Sequence, residues 1–164
     1  MNREEARTLF VYDAWANALM FEAVAALPPE QPTRPVAGSF PSLRATLAHI
    51  VGAEWIWMRH WLGESPTEVP GWLRTPALAD IRARLAVVEH ERDTFLAKLS
   101  DADLARPITY RLFSGDTRTD PLADLVTQAV NHATYHRGQV ANQLRELGHK
   151  PPSTDFILYR WQAK

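Results

Sequence analysis

The sequence predicts an all-α protein, a four-helix bundle with a short β-hairpin inserted between its third and fourth helices. Three observations predict it. Apolar residues recur at three- and four-residue spacing through four long stretches. Capping residues, prolines or glycines bound those stretches. The 164 residues suit one domain, 1–164, and a chain of that size buries roughly 70% of the surface it exposes when unfolded.

The first helix is expected from Arg3 to Leu27, where Pro28 and Pro29 stop it. After a proline-rich connection, Pro32 to Pro41, the second runs from Ser42 to Leu62 and ends at Gly63. A loop carrying Pro66, Pro70 and Gly71 leads to Thr75-Pro76, read as an N-cap followed by proline at the first helical position. The third helix runs from there to Leu99, with Leu78, Ile81, Leu85, Val88, Leu96 and Leu99 as its stripe. Ile108–Phe113 and Thr117–Thr119 flank the turn Ser114-Gly115-Asp116 and read as a hairpin. Asp120-Pro121 repeats the cap-plus-proline signal and opens the fourth helix, which ends at Leu147 before Gly148. The apolar tail Phe156–Trp161 is expected to pack back on the body.

Composition removes several functions. With no cysteine, a disulfide scaffold, a zinc–thiolate site and a cysteine nucleophile are all excluded. A net charge of −1 without a basic run gives no electrostatic footprint for nucleic acid. The charged N-terminus lacks a signal-peptide core, and no apolar run is long enough to span a bilayer. A cytoplasmic protein without a membrane partner is expected.

The histidines carry the chemistry. The fourth helix has Leu122, Leu125, Ala129, Ala133, Val140, Leu144 and Leu147 on one stripe, with Asp124, Asn131, Asn142 and Arg145 opposite. His132 and His136 fall inside the stripe at i and i+4, so both imidazoles point inward from adjacent turns and can reach one ion. Burying two unpartnered imidazoles costs a few kcal/mol, which a shared metal or ordinary hydrogen bonds would remove. His49 lies on the nearly all-apolar second helix in a strip with Ala45, Gly52, Ala53 and Ile56, whose small members leave room for a ligand or a close helix. Three imidazoles from two helices make a three-nitrogen site, which for zinc leaves one position open; nickel, iron, manganese or copper also accept imidazole. His60, His90 and His149 read as surface residues.

These pieces resemble the DinB/YfiT-like proteins, bacterial four-helix-bundle metalloenzymes. The matching segments are Tyr12-Asp-Ala-Trp-Ala-Asn17, Leu47-Ala-His-Ile-Val-Gly-Ala-Glu-Trp55, Asn131-His-Ala-Thr-Tyr-His-Arg-Gly-Gln139 and Asp155-Phe-Ile-Leu-Tyr159. They span nearly the whole chain and are specific in combination. The resemblance implies a divalent metal, zinc or nickel, on His49, His132 and His136, and a homodimer. It also implies a small-molecule substrate, with activation of a low-molecular-weight thiol for transfer or isomerisation. Asp13 departs from the family pattern, where asparagine is more usual.

Two functional classes follow. In the first, an enzyme, a site of neutral ligands keeps the ion's full charge and lowers the pKa of a bound thiol or water; thiol transfer ranks above hydrolysis. Asp13, Glu54, Asn17 and Gln139 are candidates to orient the histidines, with Asp13 the best placed, although its pattern also fits an exposed acid at a stripe edge. Arg137 reads as a surface residue, and Trp15, Trp55 and Trp57 fit core packing better than a pocket wall. In the second class, a non-catalytic stress-response or metal-binding protein, the ion only ties two helices together and needs a fourth protein ligand, for which the spacing offers no candidate.

Overall fold

The computed structural model describes residues 1–74 and 77–162. The first helix, α1 (Arg3–Ala25), opens on a capping box: the Asn2 side chain accepts from the Glu5 amide while the Glu5 carboxylate accepts from the Asn2 amide. The second, α2 (Leu43–Trp61), is capped by Ser42, whose hydroxyl accepts from the Ala45 amide, and ends where Gly63 takes φ +80°. The helix α3 (Leu78–Ala97) keeps its expected stripe, with Ile81, Leu85, Val88, Leu96 and Leu99 buried. Its expected N-cap, Thr75-Pro76, lies outside the described residues.

A one-turn helix, α4 (Asp101–Leu104), follows on a second capping box between Ser100 and Asp103. The strands β1 (Pro107–Arg111) and β2 (Thr117–Pro121) then pair antiparallel, with Ile108 opposite Asp120, as the turn residues predict. The last long helix, α5 (Leu122–Glu146), starts later than expected. Asp120 is not its cap, because the strand runs directly into the helix. The Asp120 carboxylate instead accepts from the Tyr110 hydroxyl at 2.9 Å, and the Leu122 amide donates to the Arg106 carbonyl at 3.0 Å. The tail forms α6 (Phe156–Gln162). It packs back through Phe156, edge-on to Tyr12, and through Tyr159 against Trp15, while the Tyr12 hydroxyl donates to the Thr154 carbonyl. Ile157 and Trp161 remain exposed.

Helices α1 and α2 each pack against both α3 and α5, which leaves α1 and α2 on one diagonal and α3 and α5 on the other. The core divides into two apolar clusters. One holds Phe10, Trp61, Leu96 and Val126; the other holds Met20, Leu47, Ile81 and Val140. The first cluster comes earlier in the chain on α1 and α5 and later on α2 and α3. Helices α1 and α5 therefore run one way, and α2 and α3 the other. The loop between α2 and α3 is the long crossover this arrangement requires.

Between the two clusters lies a buried polar layer to which every long helix contributes: Asp13 and Asn17 from α1, Glu54 from α2, Arg92 from α3 and Arg137 from α5. No helix among the described residues is long and apolar enough to cross a membrane.

Candidate metal centre

The antiparallel contact of α2 with α5 brings the three expected histidines together. The His49 Nε2 lies 3.0 Å from the Nε2 of His132 and 3.0 Å from that of His136, and the three candidate ligand atoms all fall within 4.8 Å of one another. Tetrahedral zinc at its usual Zn–N distance separates ligand nitrogens by roughly 3.3 Å. The two separations from His49 are within a few tenths of an ångström of that spacing, and the cluster is compact enough to surround one ion. His136 is buried and the other two are half-buried.

Protonation suits the same purpose. Burial lowers His49, and the neighbouring His136 and His132 lower it further, to about 4. Burial and then His136 lower His132 as well. Near neutral pH both rings are uncharged and each has a lone pair to offer. The Nδ1 of His136 lies 2.8 Å from the Gln139 Oε1. That oxygen only accepts, so Nδ1 carries a hydrogen and Nε2 is the nitrogen that faces the other two rings.

Of the four residues expected to orient the histidines, only Gln139 does so. Asp13, Asn17 and Glu54 belong to the polar layer instead. There Asn17 Nδ2 donates to Glu54 Oε1 at 2.7 Å and Arg92 Nη1 donates to Glu54 Oε2 at 2.8 Å. Arg137 Nη1 donates to Asp13 Oδ1 and, at 2.8 Å, to Asn17 Oδ1, while its Nη2 reaches the Thr134 hydroxyl. Arg137 is thus not a surface residue. It does point away from His136, but α5 packs against α1 as well as α2, so its buried arc is wider than one stripe. Arg92 also lies over the Phe10 ring, 4.4 Å from its centroid. Burial and then the Asp13 carboxylate push Glu54 up to about 8.

A cavity of about 510 Å³ reaches the centre on one side. Its floor is the small-residue strip of α2, Ala45, Ala48, Gly52 and Ala53, beside His49, with Gln128 and His132 of α5 adjoining. Its roof is Val69, Pro70, Leu73 and Arg74, and Leu112 and Phe113 of the hairpin close one end. Gly52 lets that roof sit close: a Cβ there would lie 2.6 Å from Leu73 Cδ1, so the leucine side chain would have to turn aside. Trp55 and Trp57 line the cavity; Trp57 also packs against the first core cluster, as Trp15 does beside Tyr12 and Tyr159.

His60 also lines the cavity and is buried, not exposed. Trp57 and Tyr110 cover its ring, and its Nδ1 contacts the Glu64 carbonyl. The hairpin packing on the end of α2 is the reason. His90 is exposed, and His149 is half-buried against the Gln31 side chain.

Phe40 packs on the centre although the sequence did not suggest it. Its ring lies 4.5 Å from that of His49 and 5.6 Å from that of His136. Gln143 anchors it, donating to the Phe40 carbonyl while accepting from the Thr46 hydroxyl. Phe40 and His136 close the side away from the cavity; His49 and His132 face it.

The fold and site define a class: a helical bundle whose interior histidines, drawn from two neighbouring helices, could hold a metal beside a cavity. The chain belongs to the DinB family, whose model matches residues 1–164. It is 26% identical over 165 residues to Protein DinB of Bacillus subtilis (strain 168), covering 95% of this chain and 94% of that one. Among solved structures, YfiT from Bacillus subtilis is described as a probable metal-dependent hydrolase with an unusual four-helix bundle topology. It matches with a TM-score of 0.69 at 15% identity, over 92% of this chain and 91% of that one. A DinB-like protein from Bacillus cereus ATCC 10987 matches with a TM-score of 0.65 at 19% identity, over 85% and 91% of the two chains. At these identities the two solved structures share the fold.

Proposed function

We propose that the protein is a metal-dependent enzyme whose divalent ion, zinc or nickel, is held by His49, His132 and His136, and that it activates a low-molecular-weight thiol for S-transfer or isomerisation. The observation that carries this reading is the convergence of three Nε2 atoms at the wall of a cavity. A divalent ion with an open position lowers the pKa of a thiol or water bound to it and so supplies a nucleophile near neutral pH.

The chain's own residues prepare the site for that role. Gln139 fixes the tautomer and direction of His136, and Phe40 shields the rear of the centre from water. The apolar walls receive the body of a substrate. No further His, Asp or Glu joins the three-histidine cluster among the described residues, which leaves room for an exogenous ligand and weighs against a purely structural ion.

The choice of thiol rests on the same lining. Among the described residues no carboxylate lines the cavity to serve as a general base. A thiol, with an ordinary pKa of about 8.5, needs that help far less than water, at about 15.7. A second reading, metal-dependent hydrolysis, draws support from the description of YfiT.

Elemental analysis of the purified wild type and His132→Ala tests the site. The wild type should carry one divalent ion per chain and the variant far less; full metal content in the variant overturns the assignment. Activity is tested with a panel of thiols and electrophiles against the metal-loaded wild type and His49→Ala. Equal rates for the two proteins defeat the catalytic reading.

A further inference from the structure

The cavity has a charge pattern that the reaction type does not require. Two arginines, Arg44 and Arg74, line it, and among the described residues no aspartate or glutamate does. Arg74 is largely exposed and lies 3.8 Å from Glu68, which is itself exposed. Arg44 differs: it is half-buried, and no carboxylate among the described residues pairs with it. On α2 it precedes His49 by five residues, roughly 7.5 Å of axial rise. Trp55, three turns along α2 from Arg44, lines the same cavity.

We infer that Arg44 is a substrate-anchoring residue, and that the substrate is an apolar or aromatic small molecule whose carboxylate pairs with Arg44 while its reacting group faces His49 and His132. This rests on the proposed use of the three-histidine centre, and it adds the substrate class. A guanidinium meets a carboxylate through two parallel hydrogen bonds. The partly desolvated, low-dielectric wall strengthens that pair relative to one in water. Cavity charge favours the same sign of ligand: the charged side chains among its described lining residues are arginines, and an ion on the histidines adds only positive charge. The axial offset of Arg44 from His49 separates the anion's seat from the centre. The carboxylate is thus a handle, distinct from the group that reacts.

The test uses two probes of the same shape, 4-phenylbutyrate and the uncharged 4-phenylbutyramide. Both are titrated calorimetrically into the metal-loaded protein and into the chelator-treated protein. The comparison is made for the wild type, Arg44→Ala and Arg44→Lys, with circular dichroism confirming that each variant is folded. Charge-assisted hydrogen bonds predict that the wild type binds the carboxylate at least about tenfold more tightly than the amide. The preference should persist after chelation, collapse to less than about threefold in Arg44→Ala, and return in part in Arg44→Lys.

Equal affinity for the two probes, or no binding of either by the wild type, overturns the inference. So does a preference that survives Arg44→Ala, or one that vanishes on chelation, since the latter places the carboxylate on the ion. A preference that depends on Arg44 in a protein lacking stoichiometric metal keeps the anion seat and rejects the metal-centre reading, so the two failures are distinguishable.

Discussion

Replacing Asp13 with alanine should be among the most destabilising single changes available in this bundle. Asp13 is fully buried and faces two guanidiniums: Arg137, which hydrogen-bonds to it, and Arg92, 3.9 Å away. At an effective dielectric constant of about 20, unit charges at that second distance attract by roughly 4 kcal/mol. Glu54, bridged to Asp13 through Asn17, is pushed up to about 8 and is mostly protonated at pH 7, so it offsets little of this. Truncation also leaves Arg137 buried with only Asn17 and Thr134 as partners. Breaking a buried pair from one side costs about 3–5 kcal/mol, and for a chain of this length each kcal/mol lowers the melting temperature by roughly 2–4 °C. Asp13→Ala is therefore expected to melt some 6–20 °C below the wild type, measured by calorimetry at pH 7 on metal-free samples of both.

Two companion variants separate the causes. Asp13→Asn keeps an acceptor for Arg137 and should lose less. The double replacement Asp13→Leu with Arg137→Met removes both charges and should recover most of the loss, because an apolar pair of similar volume often matches a buried ion pair. A loss below about 1 kcal/mol for Asp13→Ala, the value typical of exposed pairs, would refute the view of this layer as dehydrated and held by ion pairing.

Two further outcomes are expected. Gln139→Ala should weaken metal binding about 10- to 100-fold in competition with a chelating dye, because His136 loses the acceptor that fixes its tautomer; unchanged affinity would show that the contact does not orient the ring. Glu54, pushed from its ordinary 4.5 to about 8 by burial and Asp13, with Glu89 acting alongside them and Arg92 and Arg137 opposing, holds a proton in the folded state that the unfolded chain releases. Its contribution to stability is therefore present at acid pH and lost as pH rises through about 8. His49, His60 and His132 are lowered and act in the opposite sense below 6.5, so the Glu54 effect should show as a falling melting temperature between pH 6.5 and 8. Glu54→Gln should flatten that slope, and identical slopes in the two proteins would reject the assignment.

The three-histidine cluster was legible because helical phase needs only one helix at a time. His132 and His136 share a stripe whatever α5 packs against, and His49 stands out on an apolar helix. The polar layer was hidden for the opposite reason. Whether Arg137 is buried depends on α5 having two neighbours, α1 and α2, and the stripe predicts only one buried direction. Arg92 did carry a signal, lying four residues from both Val88 and Leu96 on the stripe of α3, and an arginine at such a position implies a buried acid elsewhere. Phe40 and the cavity roof carried none: they come from loops, whose positions are set by contacts such as Gln143 to Phe40 and Leu73 over Gly52, and periodicity says nothing about those. Asp120-Pro121 misled in detail because a proline after an aspartate also ends a strand.

His136 and Arg137 make the connection between the polar layer and the site physical. As consecutive residues of a helix they diverge by about 100°, one toward His49 of α2 and the other toward Asp13 and Asn17 of α1. A one-turn slip of α5 would move each by about 5.4 Å, parting the imidazoles and leaving a buried guanidinium without its acid. An apolar layer tolerates such a slip, because one buried aliphatic contact replaces another at small cost. A charged layer does not, because every alternative register strands a charge. Gln143, six residues beyond Arg137, repeats the constraint through Thr46 and Phe40. The polar residues of α5 that follow His136 thus fix its rotation and its height together, and those are the two coordinates on which three converging nitrogens depend.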